Sequence, residues 1–526
     1  MTFRKSRKIF RIKMQTMLLI RFVHKKLKFH EIKKIRNLAY DCLIPIPLFV
    51  AIGSAGFFSF SGQAEAWERS THRELTLKTI EFVESDLNAY LEENLGLEGG
   101  LSSSVNGMTA KQWMIEGSDL EDGESFLSPR PRSHFHEPIS NTGLGGVFDS
   151  SINWSLSSVG DQEWSWNDAR EYYFKALTSP TKTERDKNWA KTFRALGQIM
   201  HLLQDSANPA HVRDDPHVLR DGLHDFMNRH SVASYSSAGT IGPDSSMLEV
   251  AGAMRNEPFS NLFDRNMYYG SNPGVTLGAD VGITEYASAN FFSDDRIAGQ
   301  NSPVPPYPSL AELVPAPAPS SYLTLARLGS AAFPGARVAK YTGNETLSKF
   351  LNLEFDLLGK LRLDDGVYDA YARHLIPRAV GYSAAVLNYF FRGKIPLHKD
   401  KDAYEYLIAR HYVGGPLDEL GSLDINFDIP QDVAFEGSTY LYLDLPGGQR
   451  ILGSESFWDE YYRPFMFTFP DGAINFSLFT SIPRDQLDQS FRWTIVWEGK
   501  GGPGAQEPRI IIGQTGMATW KEICVC

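Results

Sequence analysis

Cysteine is nearly missing from this chain: 526 residues hold three, Cys42, Cys524 and Cys526. So few, so placed, cannot form a disulfide framework, and the fold must rest on packing and on any bound metal. The body also lacks a basic surplus. Residues 1–66 hold 13 Lys/Arg against 3 Asp/Glu, which leaves 39 basic and 60 acidic side chains, a formal net charge of −21, in the remainder. Such a body repels polyanions at long range. There is no internal repeat, and two common catalytic signatures are incomplete. Gly381 to Ala385 reads G-Y-S-A-A and lacks the final glycine of a nucleophile elbow, and no Gly-Lys pair is followed by Ser or Thr. Serine-hydrolase and P-loop readings therefore lose support.

A long apolar run is absent as well. Lys and Arg crowd residues 4–36, the apolar stretch from Leu43 to Phe60 is interrupted by Pro45 and Pro47, and Ala64-Glu65-Ala66 stands directly before Trp67. The stretch is poorly suited to a stable spanning helix, and the small-x-small triplet predicts a cleaved export signal over 1–66, with an uncleaved anchor as the competing reading. The product is then periplasmic or extracellular.

The remaining length predicts two domains. Apolar residues recur at helical spacing from Trp67 to about Tyr90, over 160–230, around Ile283 to Phe292 and from Leu347 to Phe391. This gives a mainly α domain over 67–398, with an irregular Gly/Pro-rich insertion at about 232–345. After about residue 400 the period shortens to two. The runs 423–429, 440–445, 465–469, 474–479, 491–497 and 509–512 predict a β-rich, sandwich-like domain over 399–526.

What is plentiful is histidine in one region: His72, His134, His136, His201, His211, His217, His224 and His230. The run 201–211 reads H-L-L-Q-D-S-A-N-P-A-H. On a helix His201 and Asp205 lie one above the other, and Asn208-Pro209 turns the chain so that His211 can return to the same point. Trp189, Phe193, Leu196, Met200 and Leu203 form the core stripe of that helix. Gly197, His201 and Asp205 share a neighbouring face, where the small residue leaves room for something else.

These residues resemble the zinc-dependent phospholipases C and the fungal single-strand nucleases, whose shared pattern H-x3-D-x5-H is matched by His201, Asp205 and His211. The resemblance covers roughly residues 67–394. It implies a helical phospholipase C-like fold and two or three zinc ions, with Trp67 as a ligand through its freed amino group and His72 as the first-helix histidine. The run G-S-D-L-E-D at 117–122 and H-F-H-E-P at 134–138 carry over Asp122 as the bridging carboxylate, Asp119 as its competitor, and His134 as a ligand. The family's further His, followed four residues on by Glu or Asp, is matched only in part. His224 is followed by Asn228, His217 by Asp221, and His217 with His224 is a third possibility. His136 and His230 read as structural or supporting, and Asp214 with Asp215 as a solvated turn.

The resemblance implies an exported zinc-dependent phosphodiester hydrolase in which water made acidic by zinc, positioned by Asp122, attacks phosphorus. The expected substrate is a phospholipid or another phosphodiester, with the C-terminal domain contacting a membrane surface. A single-strand nuclease is the alternative within the superfamily, opposed by the acidic body; a metal-stabilised, non-enzymatic envelope protein is the other.

Overall fold

A computed structural model describes the protein over residues 69–123, 128–156, 162–216, 221–236, 258–278, 280–297, 305–317, 320–329, 335–342, 361–392, 423–428, 436–458, 467–468, 473–478, 492–500 and 509–514. The leader over 1–66, Trp67 and His217 lie outside these residues. The described residues all belong to one compact unit, Gln63–Cys526.

Helix α1 (Arg69–Glu93) buries Leu75, Ile80, Val83, Leu87 and Leu91, and with them His72 and Thr76. Helix α2 (Ala110–Leu120) starts at a capping box: the Thr109 hydroxyl accepts from the Gln112 amide, and the Gln112 side chain accepts from the Thr109 amide at 2.8 Å. The short α3 (Pro129–Arg132) and α4 (Ser151–Leu156) lead to α5 (Trp166–Thr178). Helix α6 (Lys182–Asp205) is capped by Thr181, and every residue from Ala195 to Asp205 is buried. Then come α7 (Pro209–Val212), α8 (Gly222–Met227), α9 (Ile283–Asn290) and the long α10 (Asp365–Phe390), whose Asp364 cap accepts from Gly366 and Val367.

The contact that positions the site is α2 against α6. A Cβ on Gly197 would stand 2.1 Å from the Met114 carbonyl oxygen, and one on Gly117 would stand 2.2 Å from that of Arg194. The space beside Gly197 is therefore filled by the backbone of α2, not by a ligand. This corrects the expectation that the small residue leaves room for one, and it shows what glycine does here: it lets two helices touch through their main chains.

Antiparallel strands gather toward the C-terminus. After the β1–β2 hairpin (Ser104–Val105, Met108–Thr109), a four-stranded sheet takes three strands from the stretch expected to be irregular and its fourth from the stretch 347–391 expected to be helical. Its strands are β3 (Leu313–Pro315), β4 (Tyr322–Leu325), β5 (Ala336–Tyr341) and β6 (Leu361–Arg362). Further on, β7 (Leu423–Asp428) joins β10 (Phe467–Thr468) and β11 (Ala473–Leu478) in one sheet. The other, ordered β13-β12-β8-β9, contains β8 (Glu436–Asp444), β9 (Arg450–Trp458), β12 (Arg492–Lys500) and β13 (Arg509–Gln514). Strand β9 was not expected. The β12–β8 register pairs Val496 with Tyr440 and Ile495 with Leu441. Tyr442, Val496, Ile510 and Ile512 merge with the helical core, while Leu441, Leu443 and Ile495 are buried on the opposite face. Both faces of this sheet are thus covered. Among the described residues no helix is long and apolar enough to cross a membrane.

Candidate metal centre

Four stretches of chain bring acids and imidazoles to one point. α1 supplies His72, the turn after α2 supplies Asp122, the loop after α3 supplies His134, and the last turn of α6 supplies His201 and Asp205. Two overlapping groups result: His72, His201 and Asp205, and Asp122, His134 and His201. Within each, one ligand atom per residue lies within 4.8 Å of the others.

The distances suit ligands around an ion. Asp205 Oδ1 is 3.2 Å from His72 Nε2, while its Oδ2 is 3.2 Å from His201 Nε2 and 2.9 Å from His134 Nδ1. Asp122 Oδ1 is 3.4 Å from His201 Nε2 and 3.6 Å from His134 Nδ1. Ligands at tetrahedral corners around an ion with bonds of 2.0–2.1 Å stand about 3.3 Å apart. Among the described residues, His72 Nε2, His201 Nε2, Asp122 Oδ2 and both Asp205 oxygens are buried without a hydrogen-bond partner. Five orphaned polar atoms in one place would cost several kcal/mol unless something satisfies them together. These buried groups could hold a metal ion.

The outward faces of the rings are fixed. His72 Nδ1 meets Gln204 Oε1 at 2.8 Å, and His201 Nδ1 donates to the Ser118 carbonyl at 2.7 Å. That leaves each Nε2 to face the centre as a neutral imidazole would for a metal. Glu121 Oε1 stands 3.6 Å from His134 Nε2, on the side of the ring away from Asp205. Glu121 itself accepts from Arg130 at 2.7 Å and from the Trp154 indole at 3.0 Å.

Charge in the cluster follows these contacts. Burial and neighbouring His201 hold His72 below the ordinary imidazole range, favouring the neutral form. Burial opposes a charge on His134, but Asp205 and Glu121 outweigh it and push the ring up to about 9. His201 is raised well above its ordinary value, where Asp122 and Asp205 overcome burial. Burial likewise opposes ionisation of Asp122 and Asp205, yet the surrounding histidines hold both carboxyls down, Asp205 furthest. Two carboxylates held ionised among imidazoles suit a cation that displaces the protons of the rings.

The remaining anticipated residues divide. His211 returns toward the centre because Asn208 caps α7, accepting from Ala210 at 3.0 Å. Its Nδ1 is 3.6 Å from Asp205 Oδ2 and 3.1 Å from the His134 carbonyl, at the edge of the cluster. Asp119 turns away to Arg69 and Arg73, so Asp122 is the acid of the run 117–122 that enters the centre. His224 is partly buried on α8 and is in neither convergent group. His136 pairs with Asp264 at 2.8 Å, and His230 stacks on Phe226. Asp215 departs from expectation: it is buried and accepts from the Asp295 amide, so only Asp214 lies in a turn as anticipated. Sequence reasoning missed Glu121 and Gln204. The only available signal was their position, each directly before an acid already singled out. No family model, characterised protein or solved structure matches the chain, so the meaning of the centre rests on its own geometry.

Proposed function

We propose that the chain is an exported zinc-dependent phosphodiester hydrolase of the phospholipase C kind. In this reading His72, Asp122, His134, His201, Asp205 and His211 hold at least two ions, with Trp67 completing the set once the leader is removed. The observation that carries the reading is the donor set. It is built from nitrogen and oxygen without thiolate, whereas closed structural zinc sites are rich in cysteine. Each of its two carboxylates also faces more than one imidazole.

Zinc held there would bring the acidity of water to near neutrality and offset charge on phosphate oxygens. The chain's own residues set the stage for that chemistry. Asp122 and Asp205 stay ionised and balance the cations. Gln204 and the Ser118 carbonyl fix two rings, and Glu121 backs the third. Burial keeps bulk water from screening these charges.

A second reading, metal kept for stability alone, draws on one observation: the six side chains are only 0–3 % exposed. Zinc-loaded protein should be assayed on phosphatidylcholine micelles, bis(p-nitrophenyl) phosphate and single-stranded DNA. The expected result is cleavage of the lipid and the small diester. Asp122→Asn should lose at least the roughly 10–100-fold that even an outer-sphere partner costs, with unchanged circular dichroism. Cleavage of DNA with lipid left intact would move the protein to the nuclease branch. Ions bound firmly with no diester cleaved would leave the stabilising role.

A further inference from the structure

Where α6 begins, a cleft of about 400 Å³ separates the helical body from the sheet of β8, β9, β12 and β13. Leu95–Leu97 wall it on one side and Asp444–Pro446 on the other. The volume is in the range of small-molecule sites, which favour junctions of this sort. Four cations line it, and two are neutralised. Lys182 pairs with Asp186 at 2.6 Å, and Arg450 grips both oxygens of Asp444.

Arg185 and Arg492 have no such partner. Arg185 donates to the carbonyls of Ser179 at 3.1 Å and Gly448 at 2.9 Å, and Arg492 donates to Gln514 at 3.3 Å. Neither makes an ion pair among the described residues, and Arg492 Nε is buried without a hydrogen-bond partner. Burial and the charge of Arg450 hold Arg185 below the ordinary guanidinium range, with Asp444 and Asp186 opposing them only in part. The one further acid on the wall, Glu98, is exposed. Gly96 closes the turn over these donors at a φ of +65°, and a Cβ there would stand 2.8 Å from both an Arg492 nitrogen and the Gln514 oxygen.

We propose that this cleft is a binding site for a small soluble oxyanion, a phosphate monoester, held between the guanidiniums of Arg185 and Arg492. A guanidinium offers forked donors that suit phosphate oxygens, and a dianion would give both arginines the ion pair that their neutral oxygen partners do not. The site is separate from the metal centre, because Arg185 precedes His201 by 16 residues on one helix, about 24 Å along its axis.

Hydrogen exchange on the full exported, zinc-loaded chain tests this, with glycerol 3-phosphate and inorganic phosphate as soluble probes and phosphatidylglycerol vesicles as the lipid arm. The soluble probes should slow exchange saturably in residues 95–105 and 444–450. Arg185→Gln and Arg492→Gln should each weaken that effect about 10-fold, the worth of one charge-assisted hydrogen bond, with zinc content unchanged. Slowing confined to segments 134–136 and 201–211, no slowing at all, or slowing by vesicles alone would overturn the proposal. So would equal affinity in both variants. If a variant fails to fold, the exchange map of the unmodified chain decides by itself.

Discussion

A carboxylate with no exposed surface, Glu121, stands between the cationic Arg130 and the ring of His134. Its charge supports the ring that faces the metal centre, so Glu121→Gln should lower zinc affinity by about 10–100-fold, read by competition with a chromophoric chelator. Glu121→Ala should in addition cost about 3–5 kcal/mol of stability, because Arg130 is then buried without its partner. Asp294 offers a second test. It accepts from the Tyr368 hydroxyl at 2.6 Å and the Gly222 amide at 2.8 Å. Even so, burial and the charges of Asp221 and Asp215 push it up to about 6. The folded state therefore binds its proton more tightly than the unfolded state. The stability this group contributes is full below about pH 4 and is lost as pH rises through about 6, up to about 3 kcal/mol. Asn at this position can keep both contacts, so Asp294→Asn should flatten the decline between pH 4 and 6 in denaturant titrations run beside the unmodified chain. At this scale the sequence showed which residue types could meet, through spacings such as His201 to Asp205. It could not rank Asp119 against Asp122, three residues apart across the end of α2, because Arg69, which draws Asp119 away, lies 50 residues distant.

Among the elements, the pair α2 and α6 decides whether Asp122 reaches Asp205. Gly197→Ala would drive a methyl group into the Met114 carbonyl, which is main chain and cannot swing aside. We expect a loss of about 1–3 kcal/mol or more, measured by thermal unfolding, together with reduced zinc occupancy as α2 is levered away. A purely local packing fault would lower the melting temperature and leave the metal content intact. The long helices were legible because ten or more residues repeat one apolar period, as in α6 and α10. The β3–β6 sheet was not, since its strands run two to six residues and stand among prolines and glycines that read as loop. Strand β9 escaped because R-I-L-G-S-E-S-F-W carries a glycine and two serines where alternation would need larger residues. Gly197 was noticed but misread: a missing side chain signals close approach without saying of what.

For the molecule as a whole, the acidic body and the helical-then-β order followed from composition and period alone. The attachment of the two portions did not. It depends on Arg450, whose amide donates to Pro180 at 2.8 Å and whose side chain reaches the Leu177 carbonyl, and on Arg185 reaching Gly448. The metal centre has the same long-range character, drawing on residues from His72 to His211. Its depth has a kinetic consequence. A cation held by parts of the chain so far apart, among side chains only 0–3 % exposed, would leave, as a diester would enter, mainly when the helices around it separate. Removal by a strong chelator should then run at a rate independent of chelator concentration and match the slowest amide exchange in α2 and α6. A bound ion would then be a clock for the opening of the fold, its lifetime on the protein reporting how seldom those helices part.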